Sequence, residues 1–293
     1  MFDLPFPEIA LFILVVVICL AAAIVGIIQL FKQGEKLRRS LLAFVSLAVT
    51  LEAVILIFRA IAIKAIPLTG LFESMIVLTI VFGLIYLFLS IAIHRVWFNS
   101  VMVWVMLFLV LLSGIVAKPA SQAHDVASTP WAIAHAIAMI LGGVSAMLAA
   151  TSAVLYLYAQ RKLKQKKLIP ILGKVPNIEK LERMNMFGLK ACFVLMTFGL
   201  ASGIGLAATS TSLNMKAIDW LTDSKIVLIT VVWLLLGTIM ILWKTVKLKK
   251  KTIAYVTLVA FALILFAIVG TSIFCGTGHN FAGSDVEISA QVK

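Results

Sequence analysis

Long hydrophobic runs, separated by short polar or basic stretches, make up most of the chain. Eight runs are long enough to cross the hydrocarbon core of a bilayer as a helix, which takes about 20 mostly apolar residues. These runs cover residues 9–31, 41–63, 73–93, 99–117, 131–159, 187–208, 225–243 and 252–274. Because lipid offers the backbone no hydrogen-bond partner, the runs are interpreted as helices rather than open strands. The pattern predicts an all-α, polytopic membrane helix bundle with about eight transmembrane helices.

The composition favours the same class of protein. The chain has 293 residues, of which 63% are hydrophobic and 13% are charged, whereas a soluble domain carries about 25% charged residues. A soluble globular enzyme is therefore excluded, and so is a disordered chain, because disorder requires low hydrophobicity. Residues 1–293 are interpreted as a single integral membrane domain with a short polar tail after about residue 280.

Positive charge is distributed unevenly along the chain. The net charge is +13, from 25 Lys and Arg against 12 Asp and Glu. Eighteen of the 25 basic residues follow the first, third, fifth and seventh predicted helices, five lie on the other side and two lie inside spans. Cytoplasmic loops carry the excess of Lys and Arg, so both termini are predicted to face outward. The basic runs 160–167 and 247–251 are interpreted as contacts to anionic lipid of the bilayer, and no nucleic-acid partner is predicted.

Motifs of the common enzyme classes do not occur in the sequence. It contains no Walker A, GxSxG, HExxH or CxxC motif, so ATP hydrolysis, serine hydrolysis, zinc proteolysis and thiol redox chemistry are unsupported. Whether the protein is an enzyme is left open. The short motif Gly203-Ile204-Gly205 lies in an apolar run and is interpreted as a site of close helix packing.

Charged side chains inside the predicted spans are candidates for function, because each costs several kcal/mol in lipid. Glu52 and Arg59 are seven residues apart on the second helix, which puts them on one face. Glu73 opens the third helix. Either Arg59 holds an anion such as a carboxylate or propionate, or it pairs with Glu52 or Glu73 and locks the second and third helices together.

Two of the four histidines are predicted to lie on the outward side of the membrane. His135 is one turn into the fifth helix, and His279 follows the eighth. Two imidazoles from different helices can ligate one haem iron, provided an apolar slot accepts the macrocycle, and Trp131 and Trp220 are predicted on the same side. The alternative is two unrelated interfacial histidines and two tryptophans of the aromatic belt. Spacing alone favours this alternative, because sequence separation cannot show that two rings meet.

Four stretches of the chain carry a further signal. They are Arg59 through Pro67 to Leu71-Phe72-Glu73-Ser74, Pro130-Trp131-Ala132-Ile133-Ala134-His135, Phe198-Gly199-Leu200-Ala201-Ser202-Gly203 and Gly278-His279-Asn280-Phe281-Ala282-Gly283. In this order they resemble motifs of the cytochrome c assembly membrane proteins of the CcsA/ResC type, including their HemX-like relatives. The likeness covers about residues 55–285.

The resemblance implies that the protein handles haem. It implies a haem b held at the outer face between His135 and His279 as iron ligands. The residues that it adds as cofactor-binding candidates are Trp131, Trp220, Asp223 and Arg59. It also implies that haem is presented to apocytochrome c, together with a second cytochrome c biogenesis membrane subunit. The location implied is the inner (cytoplasmic) membrane of a bacterium.

The chain departs from the family pattern in the tryptophan-rich loop. The corresponding segment, from Ser210 to Lys225, keeps only Trp220 and the spacing of Asp223 and Lys225. Ile241 stands where the family has a helix histidine, and an isoleucine cannot ligate iron. The degenerate loop is similar to that of the HemX-like variants.

Three functions follow as hypotheses. The first is a haem-handling membrane protein of cytochrome c biogenesis that binds and presents haem without a covalent step on this chain. The second is a haem-free membrane scaffold or regulator, favoured by the degenerate loop. The third, ranked last, is a small-solute transporter, for which Arg59 and Glu52 are the main candidates.

Overall fold

The structure, a computed structural model, describes residues 5–32, 34–64, 66–67, 70–93, 96–117, 129–166, 175–209, 223–246 and 248–274. All elements in these ranges are helical. They are α1 Phe6–Phe31, α2 Glu35–Ile63, α3 Leu71–Ala92, α4 Val96–Ile115, α5 Pro130–Lys164, α6 Ile178–Thr209, α7 Ser224–Thr245 and α8 Lys250–Leu265, which continues through a π-helical turn Phe266–Gly270 into α9 Thr271–Phe274.

Eight of the described helical rods are long and apolar enough to cross a membrane. Each predicted span overlaps one of them, so the all-α, polytopic fold is confirmed. Several helices extend beyond their apolar run: α2 begins at Glu35 instead of residue 41, and α6 at Ile178 instead of residue 187. The reason is that an apolar run ends at the first charged residues. The backbone hydrogen bonds of the helix continue through those residues, whose side chains reach the headgroups or water.

Helix α5 is the central element of the bundle. It has 35 residues, and it packs against α3, α4, α6 and α8. One buried cluster joins α1–α4 to a face of α5 and also includes Leu181 of α6 and Ala254 of α8. A second cluster joins the opposite part of α5 to α6, α7 and α8. The two halves of the bundle therefore meet along α5.

Helices α5 and α6 run antiparallel and lie very close together. A Cβ built on Gly188 would lie 2.8 Å from the carbonyl oxygen of Ser145, and one built on Gly142 would meet Leu195 and Met196. Farther along, Gly203 faces His135. Small residues let helix backbones approach in this way. Such packing is needed because, inside lipid, no hydrophobic effect drives helices together.

Side-chain contacts define which helix ends lie together. Arg59 near the end of α2 pairs with Glu8 and Glu73 at the starts of α1 and α3. At the opposite end, Lys250 of α8 pairs with Glu182 of α6 at 2.7 Å. We call the end with the start of α5 the His135 end and the other the Lys250 end. Trp97 stacks on Tyr158 at 4.6 Å between ring centroids, which assigns the start of α4 to the Lys250 end.

The close approach of α5 and α6 predicts that Gly188→Ala destabilises the bundle. The added methyl has to displace backbone atoms of α5, and overpacking of this kind costs about 1–3 kcal/mol. Thermal unfolding in detergent, followed by circular dichroism, measures the change. Gly34→Ala is the matched control, because a Cβ there meets nothing within 4 Å. Equal melting temperatures for the two variants would contradict the prediction.

Candidate functional site

The start of α5 is fixed by its local sequence. The Thr129 hydroxyl accepts a hydrogen bond from the backbone N–H of Ala132 at 3.3 Å, and Pro130 occupies the first helical position. Both are preferred at helix starts, since a cap satisfies a free N–H and proline lacks one. Trp131 and His135 follow on the same side of the helix, because they are four residues apart.

His135 is half-buried at the interface of α5 and α6. Its Nδ1 lies 2.7 Å from the carbonyl oxygen of Gly199. A carbonyl oxygen can only accept, so Nδ1 carries the proton and donates it. In the neutral ring, Nε2 then holds the lone pair that a metal ion needs. A histidine that ligates a metal is usually held by this kind of bond from its other ring nitrogen.

Glycine residues of α6 make room for the two rings. A Cβ on Gly203 would lie 3.1 Å from Nδ1 of His135, and a Cβ on Gly205 would lie 2.9 Å from the indole of Trp131. The prediction that the Gly203-Ile204-Gly205 motif permits close helix packing is thereby confirmed. Trp131 itself is 47% exposed, so its other face is open to the surroundings of the bundle.

The start of α7 belongs to the same region. The Asp223 carboxylate caps this helix, accepting a hydrogen bond from the backbone N–H of Lys225 at 2.9 Å. The half-buried Lys225 ammonium interacts electrostatically with the His135 imidazole. Three elements, α5, α6 and α7, thus bring together an imidazole, an indole and a cation at the His135 end.

Arg59 lies in a different cluster, formed by α1, α2 and α3. Its side chain is fully buried, with Nη2 2.9 Å from Glu8 Oε2 and Nη1 paired with Glu73. The guanidinium also lies over the Phe72 ring, 4.4 Å from the centroid. The structure thus contains the pair with Glu73 that the sequence offered as one alternative. Sequence reasoning missed Glu8, although an acidic residue in the first turn of an apolar helix was a visible signal.

Two of the predicted site residues, His279 and Trp220, lie outside the described residues. The ligation of iron by His135 and His279 and the cofactor roles of Trp131, Asp223 and Arg59 stay predictions. Within the described ranges, no group of three or more His, Cys, Asp or Glu side chains could hold a metal ion. Ile241, at the position of the family's helix histidine, is 64% exposed on α7.

The fold and these contacts define a polytopic helical membrane protein with an imidazole positioned at one end of the bundle. A family model described as Cytochrome C assembly protein matches residues 9–276, and the chain belongs to that family. The match extends nearer to the N-terminus than the resemblance over residues 55–285, and it ends before His279. No curated protein and no solved structure shows significant similarity to the chain. Family membership places the protein in cytochrome c biogenesis, a process that handles haem and apocytochrome c.

The buried pairs of Arg59 predict a large loss of stability for Arg59→Met. Removing the cation leaves two carboxylates buried together, and breaking a buried pair in this way costs about 3–5 kcal/mol. The matched control is Arg38→Met on the same helix, which breaks a partly exposed pair with Glu35 and should cost about 0–1 kcal/mol. Urea or thermal unfolding in detergent compares the variants. Equal losses would show that the cluster does not hold α1, α2 and α3 together.

Proposed function

We propose that the protein binds haem at the His135 end, with His135 and His279 as axial ligands, and presents it to apocytochrome c. The observation that carries the proposal is the hydrogen bond from Nδ1 of His135 to Gly199. It fixes the ring orientation and leaves Nε2 as the free base, which is the state required of an iron ligand. Among the described residues, no hydrogen bond occupies Nε2.

The position of α8 and α9 supports His279 as the second ligand. The rod starts beside Glu182 at the Lys250 end and crosses to Phe274 at the His135 end. Four residues lie between Phe274 and His279, and the five Cα-to-Cα steps that join them span at most about 18 Å. The chain after Phe274 is therefore short enough to keep His279 within reach of the end of the bundle that contains His135.

The surroundings of His135 provide the other groups that haem needs. Trp131 offers an exposed aromatic face beside the imidazole, and Trp220, in the chain segment before α7, would flank the macrocycle. For the propionates we favour Lys225 over Arg59, because both carboxylate partners of Arg59 already occupy its guanidinium. Asp223 then acts by holding Lys225 through the start of α7. When bound, haem would supply an iron and two propionates. The chain itself binds and orients it.

The distribution of charge supports an outward-facing site. The Lys250 end holds the juxtamembrane basic residues, including Arg161, Lys162 and Lys164 in the last turn of α5, and basic residues favour the cytoplasmic side. The His135 end would then face outward, with both termini, from the inner membrane of a bacterium. Apocytochrome c and a second biogenesis subunit would meet the protein there.

Replacement of both histidines is expected to abolish haem binding. The protein purified from membranes should carry haem b with the Soret band of a bis-histidine complex, quantified as a pyridine haemochrome. His135→Ala and His279→Ala should each reduce the haem content, and the double variant should lose it. His94→Ala is the matched control, because His94 follows α3 on the opposite side of the predicted topology. An unchanged haem spectrum in the double variant would contradict the assignment of His135 and His279 as haem ligands. A wild-type protein that contains no haem would favour the alternative of a haem-free membrane scaffold or regulator.

Gly203→Ala tests the role of α6 in positioning the imidazole. The new methyl would lie 3.1 Å from Nδ1, so the ring has to turn and the bond to Gly199 lengthens. Loss of such a positioning contact typically lowers the affinity for a metal about 10–100-fold. Haem titration of the apoprotein measures this affinity, and Gly34→Ala serves as the control. If Gly203→Ala binds haem with the affinity of the wild type, the contact with α6 does not orient the His135 imidazole.

A further inference from the structure

Glu52 is a buried carboxyl group that the haem site does not use. It lies three residues from the midpoint of α2, and its side chain is 1% exposed. One of its oxygens, Oε2, is fully enclosed and has no hydrogen-bond partner among the described residues. A side chain of this kind in the middle of a membrane helix is expensive and suggests a function.

No cation in the described part of the chain forms an ion pair with Glu52. The nearest basic residue on its face of α2 is Arg59, seven residues or about 10 Å along the axis, and this guanidinium is held by Glu8 and Glu73. From α1, the other helix packed on this side, the Cys19 thiol interacts with Glu52. The titratable side chains of α3 are Glu73 and Tyr86.

An uncompensated carboxylate is too costly at this position. Moving an ionised carboxylate into an apolar interior costs far more free energy than moving a neutral polar group. Among the described side chains, no cation neutralises Glu52. Protonation of the carboxyl group removes its charge instead.

Further buried polar atoms continue from Glu52 toward the Lys250 end. In the pairing of α2 with α3, Arg59 lies opposite Glu73, so Glu52 lies at a level between Glu73 and Tyr86. The Tyr86 hydroxyl, Gln29 Oε1 and Asn99 Oδ1 are all buried without a hydrogen-bond partner in the described structure. Such atoms usually bind ordered water. Polar groups are therefore present on both sides of Glu52 along the interior of α1–α4.

We propose that Glu52 is a proton-binding site inside the α1–α4 half of the bundle. It exchanges protons with water that binds to the Glu8–Arg59–Glu73 cluster at the His135 end, and with water that binds to the buried Tyr86, Gln29 and Asn99 atoms toward the Lys250 end. Only O–H bonds form and break in this exchange: as one Glu52 oxygen gives its proton to a water molecule, the other oxygen takes a proton from water, so the carboxyl group stays neutral. The ligand is the proton, and the site is independent of the haem proposal.

Infrared spectroscopy of the full chain reconstituted in liposomes tests the proposal. At neutral pH the wild type should show the carbonyl band of a protonated carboxylic acid, and Glu52→Gln, which is close to isosteric, should remove it. Glu182→Gln is the matched control, because Glu182 pairs with Lys250 near the surface and should contribute only a carboxylate. In D₂O the band should shift as the proton exchanges with solvent.

Two further measurements test the proposal without relying on Glu52→Gln alone. Carbon-13 labelling of the glutamates shifts the band in the unchanged chain, and Glu52→Asp moves its frequency instead of removing it. Absence of the band in the wild type, or its persistence in Glu52→Gln, overturns the proposal. A band that does not respond to D₂O overturns the exchange with water.

Discussion

The close approach of α5 and α6 is the contact on which the rest of the bundle depends. Glycines on both helices let the backbones touch, with Gly188 against Ser145 at one level and Gly203 against His135 at another. In lipid, helix association depends on such packing and on hydrogen bonds, because no hydrophobic effect drives it. The same contact presents the Gly199 carbonyl to His135, so packing and the candidate site share one interface.

Buried charge organises the other half of the bundle. The guanidinium of Arg59 joins α1, α2 and α3 at one level, with carboxylate partners from both neighbouring helices. Glu52, two turns away, has no such cation among the described side chains. The two positions show two ways of accommodating a charged residue type in a membrane interior: a network of paired charges, and a carboxyl group that we propose is neutral.

The candidate site was only partly predictable from the sequence. Four motifs in order, including those of His135 and His279, indicated the cytochrome c assembly family, and the family match confirms it. The sequence could not show that Gly199 faces His135, since 64 residues separate them along the chain. It also left open whether Arg59 pairs with Glu52 or Glu73, and it missed Glu8, because a partner on another helix depends on the pairing of three helices.

Hydropathy and charge alone determined the number of spans, the all-α class and a predicted orientation. These properties depend on the transfer of each segment from water to lipid, which is a local property of the segment. Only the tertiary structure decided which helices touch, which tautomer His135 adopts and which carboxylates hold Arg59. Those outcomes depend on the register and rotation of packed helices, and many registers satisfy the same apolar pattern.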